Sequence, residues 1–400
     1  MRRLPALTAI ISISVIPPLF ADTTAVLPFF NLSNNPNLNW VGECLAVVLG
    51  ESFRDEGLVV PSREDRLEVY RRMSLREGAV LTRASMIRIA EALDADYVIY
   101  GRYAVSSSSG QADSRAAVEV FGRVVDIKQL RQSPEFRQTG TMAELAALQT
   151  NLSWDVLNFI RQRPGRDEAD FKTRWRSVRL DAIENYVRGL MAAGFEQKHR
   201  FFTQAARLDE SFPQPRFQLG LLHMAQKNYT VAADWFQRVG PGASNAREAR
   251  FLQGICRYHA GDFAGARTAF DSVAAAVPLN EVFNNLGAAQ ARLDAPGAAE
   301  SFRRALDGDS SDPVYHFNLG WALWKAGDFE GCAARFGSVL EMRPEDTEAA
   351  TMRDRCLKQV KPRAVEAPGE PLPRLKHNYE ERAWRQLKEM LQPQPSTPAP

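Results

Sequence analysis

One glycine recurs along the second half of the chain at a nearly fixed interval, and that period restricts the fold more than any other feature. The segments YVRGLMAAGF, FQLGLLHMAQKNY, FLQGICRYHAGDF, FNNLGAAQARLD and FNLGWALWKAGDF align on Gly189, Gly220, Gly254, Gly287 and Gly320, spaced by 31, 34, 33 and 33 residues. A unit of this length cannot bury its own apolar face, so neighbouring units must stack. After each of the middle three glycines the spacing predicts a second helix: Ala232–Phe236–Val239, Ala266–Phe270–Val273 and Ala298–Phe302–Ala305. Glycine at a helix crossing permits close approach, and the aromatic side chain fills the adjoining hole. Asn228–Tyr229, Asp262–Phe263 and Asp328–Phe329 supply a polar turn and the first apolar contact of a second helix, while Pro278, Pro313 and Pro344 punctuate the gaps between units. The first unit is about three residues short at its turn and the fourth loses one near Pro296, departures expected to bend the array locally.

These residues strongly resemble the tetratricopeptide repeat family. The resemblance implies five units over residues 178–344, an all-α superhelical solenoid, and a capping helix over 345–361. It also implies a concave face lined by one stripe of each first helix. Transferred by position, that stripe is Tyr186 and Leu190; Phe217, Leu221 and Met224; Phe251, Ile255 and Tyr258; then Phe317, Trp321 and Trp324. Each set has i, i+4, i+7 spacing and shares one helical face. Either the stripe is a groove for an apolar or aromatic partner segment, anchored by Trp321 and Trp324, or it is core. Leu219, Leu252, Leu286, Leu319 and the second-helix aromatics already supply core positions. The subclass that grips a peptide carboxylate uses Lys and Asn on this stripe; Phe, Leu, Ile and Trp stand there instead, so no carboxylate clamp is expected.

Before the repeats, strand-like and helical patterns alternate. TAVLPFF precedes a helix over Asn39–Phe53, GLVVPS precedes REDRLEVYRRM and RASMIRIAEAL, ADYVIYGRYAV and RAAVEVFGRVVDI read as strands, and TMAELAALQTNLSWDVLNFI closes the unit. Helices laid on a mixed sheet follow from such alternation. In order, AVLPFFNLSNNPNLNWVGECLAVVLGESF, IAEALDADYVIYGRY, VVDIKQLR and LAALQTNL look like the TolB amino-terminal-like domain of bacterial envelope proteins, related to the curli-secretion type of α/β module. The resemblance spans residues 22–162 and implies an assembly role without catalytic residues. The loop NLSNNPN invites a phosphate-binding reading, but a phosphate cradle needs glycines and a nearby cation, and this loop has neither. Its Asn and Pro are expected to set turns and cap the next helix. Residues 163–177, with Pro164 and Gly165 amid charge, read as an exposed linker between halves that unfold separately.

Residues 1–21 have the pattern of a secretory signal peptide: Arg2 and Arg3, a short apolar run interrupted by Pro17 and Pro18, and Ala21 at the cut. A mature chain beginning near Asp22 would then be periplasmic, or associated with the outer membrane, with no transmembrane segment. A net charge of +2 offers no field for nucleic acid. Cys332 and Cys356 lie on neighbouring predicted helices, where they either meet or remain buried thiols like Cys44 and Cys256. No CxxC, GxSxG or HExxH occurs, and His199, His223, His259, His316 and His377 are scattered, so no metal, cofactor or catalytic group is expected. After the cap come a proline-rich linker (362–376), a short amphipathic helix (377–392) and a disordered tail (393–400). The helix could dock on the array as a lid, bind a partner or fray. Together these features predict an exported, non-enzymatic scaffold that binds protein partners, within an envelope complex. The alternative is an accessory subunit whose α/β domain holds a glycan or nucleotide.

Overall fold

The computed structural model describes residues 22–33, 35–106, 114–161, 167–174, 178–363, 371–381 and 383–385. The signal-like segment, most of the serine-rich loop 106–114 and the chain beyond residue 385 lie outside the described residues. The fold is a mixed sheet with its helices, followed by a solenoid of helical pairs.

The sheet is built on β3 (Tyr97–Ser106), which pairs antiparallel along its length with β4 (Ala117–Asp126). Two short strands, β1 (Thr24–Val26) and β2 (Phe30–Asn31), run parallel along the free side of β3. Along the far side of β4 run β5 (Arg131–Gln132) and β6 (Phe136–Thr141), both antiparallel. The period-2 pattern of β3 divides its side chains between two cores. Val98 faces α2 (Arg63–Arg72) and α3 (Arg83–Ala92), whereas Ile99, Tyr103 and Val105 face α1 (Asn39–Asp55) and α4 (Leu145–Ile160). Helix α2 starts on a capping box, in which Ser62 accepts from the Asp65 amide and the Asp65 carboxylate accepts from the Ser62 amide. Buried Glu43 of α1 ties the two helix layers together through Arg63, at 2.9 Å, and Arg66.

Several polar groups of the NLSNNPN loop bond within the loop. Asn31 donates to the Asn35 carbonyl at 2.9 Å, Ser33 N–H donates to Asn31 Oδ1 at 2.8 Å, and Asn35 Oδ1 accepts from the Asn37 amide at 3.0 Å. The Tyr103 hydroxyl donates to the Leu38 carbonyl at 2.7 Å, fixing the entry to α1. The loop forms a turn and a helix start, and it is pinned to β3 by Leu32 N–H donating to the Tyr103 carbonyl at 2.8 Å and Ser33 Oγ accepting from Val105 N–H at 2.7 Å.

The solenoid pairs α6 (Leu180–Met191) with α7 (Phe195–Leu208), α8 (Gln214–Ala225) with α9 (Tyr229–Gln237), α10 (Ala246–His259) with α11 (Phe263–Ala274), α12 (Asn280–Arg292) with α13 (Ala298–Gly308), and α14 (Pro313–Ala326) with α15 (Phe329–Met342). Helix α16 (Thr347–Leu357) closes the array, and the short α5 (Glu168–Arg174) precedes it. The repeated glycine has a steric cause in every pair. A Cβ built on Gly189, Gly220, Gly254 or Gly287 would stand 2.5, 2.5, 2.6 or 2.7 Å from the ring of Phe202, Phe236, Phe270 or Phe302, and one on Gly320 3.1 Å from Phe336. Seven residues after the glycine, units two to five place a left-handed residue: Lys227, Gly261, Asp294 and Gly327. The first unit has no room for it, because residue 196 is already inside α7; this is where its turn is short. Cys332 and Cys356, with Cα atoms 6.0 Å apart, form a disulfide that ties α15 to α16. Cys44 and Cys256 are buried free thiols.

Contrary to the expectation of two separate halves, one hydrophobic core crosses the boundary. Leu45, Leu49 and Phe53 of α1 belong to the same cluster as Ala182, Ile183, Tyr186 and Val187 of α6. The segment read as a linker contributes α5, whose buried Phe171 lies 5.4 Å from Trp154 of α4. Composition misled here because charged flanks hid one anchoring aromatic. Arg188 donates to the Asn37 carbonyl at 3.0 Å across the same boundary, and Gln214 approaches Glu51 at 3.4 Å.

Burial pushes the Glu51 carboxyl up to about 7 from an ordinary 4.5, against the opposing pull of Arg54. An acid raised in the folded state holds its proton there while the unfolded chain releases it. Its contribution to stability therefore falls as pH rises from about 4.5 to about 7 and stays low above that. Glu51→Gln is expected to remove this dependence and raise stability at pH 8 by ~1–2 kcal/mol, since Glu51 is only half-buried. Urea unfolding at pH 5 and pH 8 checks it: the variant's gain should be clearly larger at the higher pH.

Candidate functional site

The first helices of successive units form one face of the solenoid, and the chain's own C-terminal segment lies along it. Residues 371–381 cross α14, then α12, then α10, against the order of the repeats. Asn318 of α14 accepts from the Arg374 amide and donates to the Arg374 carbonyl, both at 2.7 Å. Asn285 of α12 treats Lys376 in the same way, with both bonds at 2.8 Å. Asn284 adds a 2.9 Å bond to the Arg374 carbonyl and accepts from Asn318 at 2.7 Å. Alternate residues engaging one row is the pattern of an extended chain, so the two side-chain amides act as rungs of a β-ladder. All three asparagines are buried, where an unpaired amide would be costly; the tail satisfies them.

Charge reinforces this register. Arg374 reaches Asp346 at 2.6 and 2.9 Å and Glu348 at 2.7 Å, and its guanidinium lies 3.6 Å from the Phe317 ring centroid. Lys376 binds Asp312 and lies 5.4 Å from the Tyr315 ring. Both aspartates also cap helices: Asp312 accepts from Val314 N–H at 2.8 Å and Asp346 from Ala349 N–H at 3.0 Å. Hydrogen bonds from Arg374 hold the Asp346 carboxyl below the usual carboxylate range. Asp346 and Asp312 are largely shielded from water, so their pairs outweigh an ordinary surface pair such as that with the exposed Glu348. Further along, the Tyr379 ring sits 5.2 Å from Phe251, the Glu380 amide donates to Glu281 at 2.7 Å, and Arg247 donates to Glu381 at 2.8 Å.

The stripe transferred by position divides into several environments. Tyr186 packs against Phe202 and Phe212 at 5.9 and 5.1 Å, and Phe217 against Phe236 at 5.6 Å. Ile255 is fully buried, whereas Leu190, Leu221, Met224 and Tyr258 are half-buried. Phe251 and Phe317 pack on Phe270 and Phe336 while also touching the tail. Trp321 and Trp324 are buried, and their indole N–H groups donate to the carbonyls of Pro371 at 2.9 Å and Val360 at 2.7 Å. Residues 371–376, read from composition as linker, are docked, with Pro371 and Pro373 buried. The helix predicted over 377–392 does not begin at 377: residues 377–380 continue the extended segment held on the groove. Helix is seen only at Glu381 and 383–385, where Trp384 packs on the second core; residues 386–392 lie outside the described residues.

The stripe omitted α12, where Asn284 replaces the aromatic residue of the other units. Asn-Leu-Gly recurs at residues 285–287 and 318–320, in register with the period, and marks the two rungs. Four of the five histidines pair, His259 with His377 at 5.9 Å and His199 with His223 at 5.3 Å, while His316 Nε2 lies 3.0 Å from the Ser310 carbonyl. Among the described residues, no group of three or more His, Cys, Asp or Glu is placed to hold a metal ion, and no helix is long and apolar enough to cross a membrane.

Comparison with known proteins agrees on the repeats. A tetratricopeptide repeat family model matches residues 243–281 and 288–347. Among solved structures, the chain is similar to MamA 41-end from Desulfovibrio magneticus RS-1, with 23% identity over 43% of this chain and 100% of that one and a TM-score of 0.39. It is also similar to YrrB, titled a TPR protein with an unusual peptide-binding site, with 18% identity over 47% and 90% of the two chains and a TM-score of 0.35. Pseudomonas aeruginosa PilF shares 16% identity over 41% and 76%, at a TM-score of 0.36. No curated protein matches the sequence.

Proposed function

We propose that this chain is an exported, non-enzymatic scaffold of the bacterial envelope that captures an extended segment of a partner protein on the first-helix face of its repeats. The observation that carries the reading is the pair of amide rungs, Asn285 and Asn318, each holding both backbone groups of one tail residue. Such contacts read a backbone without regard to side chains, as an added strand does at a sheet edge. Tetratricopeptide repeats themselves support a role in protein–protein interaction. Export rests on the signal-like residues 1–21, and an envelope setting on the resemblance of residues 22–162 to the TolB amino-terminal-like domain. Trp321 and Trp324 remain the proposed anchors, Trp321 acting through its indole N–H group as well as its ring.

The test uses the whole chain, because the α/β domain and first repeat share a core. Wild type and the Asn285→Ala, Asn318→Ala double variant are used to capture envelope proteins at equal loading, after fractionation and N-terminal sequencing of the expressed chain. A periplasmic protein starting near Asp22, with a partner lost in the double variant, supports the proposal. A cytoplasmic chain retaining Met1, or capture indifferent to both asparagines, contradicts it.

A further inference from the structure

The tail is held at two levels, and they carry different information. The asparagine amides grip only backbone, but Arg374 and Lys376 each enter a socket made of a carboxylate and an aromatic ring. For Arg374 the socket is Asp346, Glu348 and Phe317; for Lys376 it is Asp312 and Tyr315. Sockets two residues apart on an extended chain accept Arg-x-Lys in a single register, because residues i and i+2 lie on the same side. Upstream, Pro371 and Pro373 are buried where an ordinary residue would bring an N–H donor, and Trp321 uses the Pro371 carbonyl. Downstream, Tyr379 meets Phe251.

We infer that the groove is specific for a basic, extended partner segment of the type Pro-x-Pro-Arg-x-Lys-x-x-aromatic, and that the tail is an intramolecular competitor occupying the site until such a segment displaces it. This rests on the groove-capture reading above and replaces a purely apolar partner with a cationic one. An uncharged segment would satisfy the asparagines but leave two partly buried carboxylates, Asp346 and Asp312, without their cations. The tail suits a displaceable occupant, since Leu372, His377, Asn378 and Glu380 remain exposed along it. Tethering gives the tail a high effective concentration, so a partner's apparent affinity is lowered by the fraction of chains in which the groove is open.

The experiment uses two full-length proteins, wild type and a variant in which residues 371–381 are permuted in order, leaving every groove residue intact. The probe is a labelled peptide of residues 371–385, PLPRLKHNYEERAWR, followed by fluorescence anisotropy; control peptides carry Arg374→Glu with Lys376→Glu, or both residues changed to Ala. The permuted chain should bind the native peptide at least ~10-fold more tightly than wild type. It should discriminate against both control peptides, the charge-reversed one most strongly. Equal binding by the two chains would overturn the competitor role. Equal binding of all three peptides would overturn cationic specificity while leaving groove capture standing, and no binding of any peptide would overturn both. Should the permuted chain lose its helical circular dichroism, full-length Arg374→Glu serves as the opened protein and must meet the same expectations.

Discussion

Replacing Gly254 by leucine is expected to destabilise the repeat half by more than ~3 kcal/mol, beyond the usual range for overpacking. Even a bare Cβ at this position would stand 2.6 Å from Phe270 Cε1, and further ring atoms follow at 2.8 and 2.9 Å. Phe270 has no exposed surface and cannot swing into solvent. Either α10 and α11 separate, or the ring leaves the hole it fills. The helix-propensity gain of leucine over glycine, about 1 kcal/mol, is too small to offset that loss. Gly261→Leu, at a left-handed turn position with nothing within 4 Å, is the control; its cost should be the backbone penalty of about 1–2 kcal/mol. Thermal melts of the two variants check the ordering.

Tyr186→Ala is expected to cost about 3–5 kcal/mol, the range for removing a large buried aromatic side chain. Tyr186 belongs to the core that α1 and α6 build together, and its ring meets Phe202 and Phe212. The loss should therefore appear in the unfolding of both the sheet domain and the first repeats. Domain-resolved hydrogen exchange or limited proteolysis reads this. Destabilisation confined to the repeats would contradict a shared core.

The repeat architecture was legible in the sequence because a steric rule recurs: one glycine per unit opposite one phenylalanine. The strand and helix alternation of the first half was legible for the same kind of reason, a period of 2 giving way to a period of 3.6. The interface between them was not, because Phe171 and Tyr186 look like any other apolar residues in charged or helical segments. Trp321 and Trp324 stood out by size, and the tail does contact Trp321. The polar residues that grip the backbone were harder to see. Asn285 and Asn318 sit one stripe away from the aromatic positions, and the Asn-Leu-Gly repeat draws the eye to its leucine and glycine. The proline-rich composition of 362–376 resembles a linker since prolines lack N–H donors; that same property suits them to a buried strap.

Hydrogen–deuterium exchange at single-residue resolution across the tail tests the central claim most directly. In the full-length wild-type protein the amides of Arg374, Lys376 and Glu380, bonded to Asn318, Asn285 and Glu281, should be protected, while the amides of His377 and Asn378 exchange faster. Protection at Arg374 and Lys376 should vanish in the Asn285→Ala, Asn318→Ala double variant. Exchange of Arg374 and Lys376 at the rate of an unstructured chain in wild type would mean that the tail does not occupy the groove.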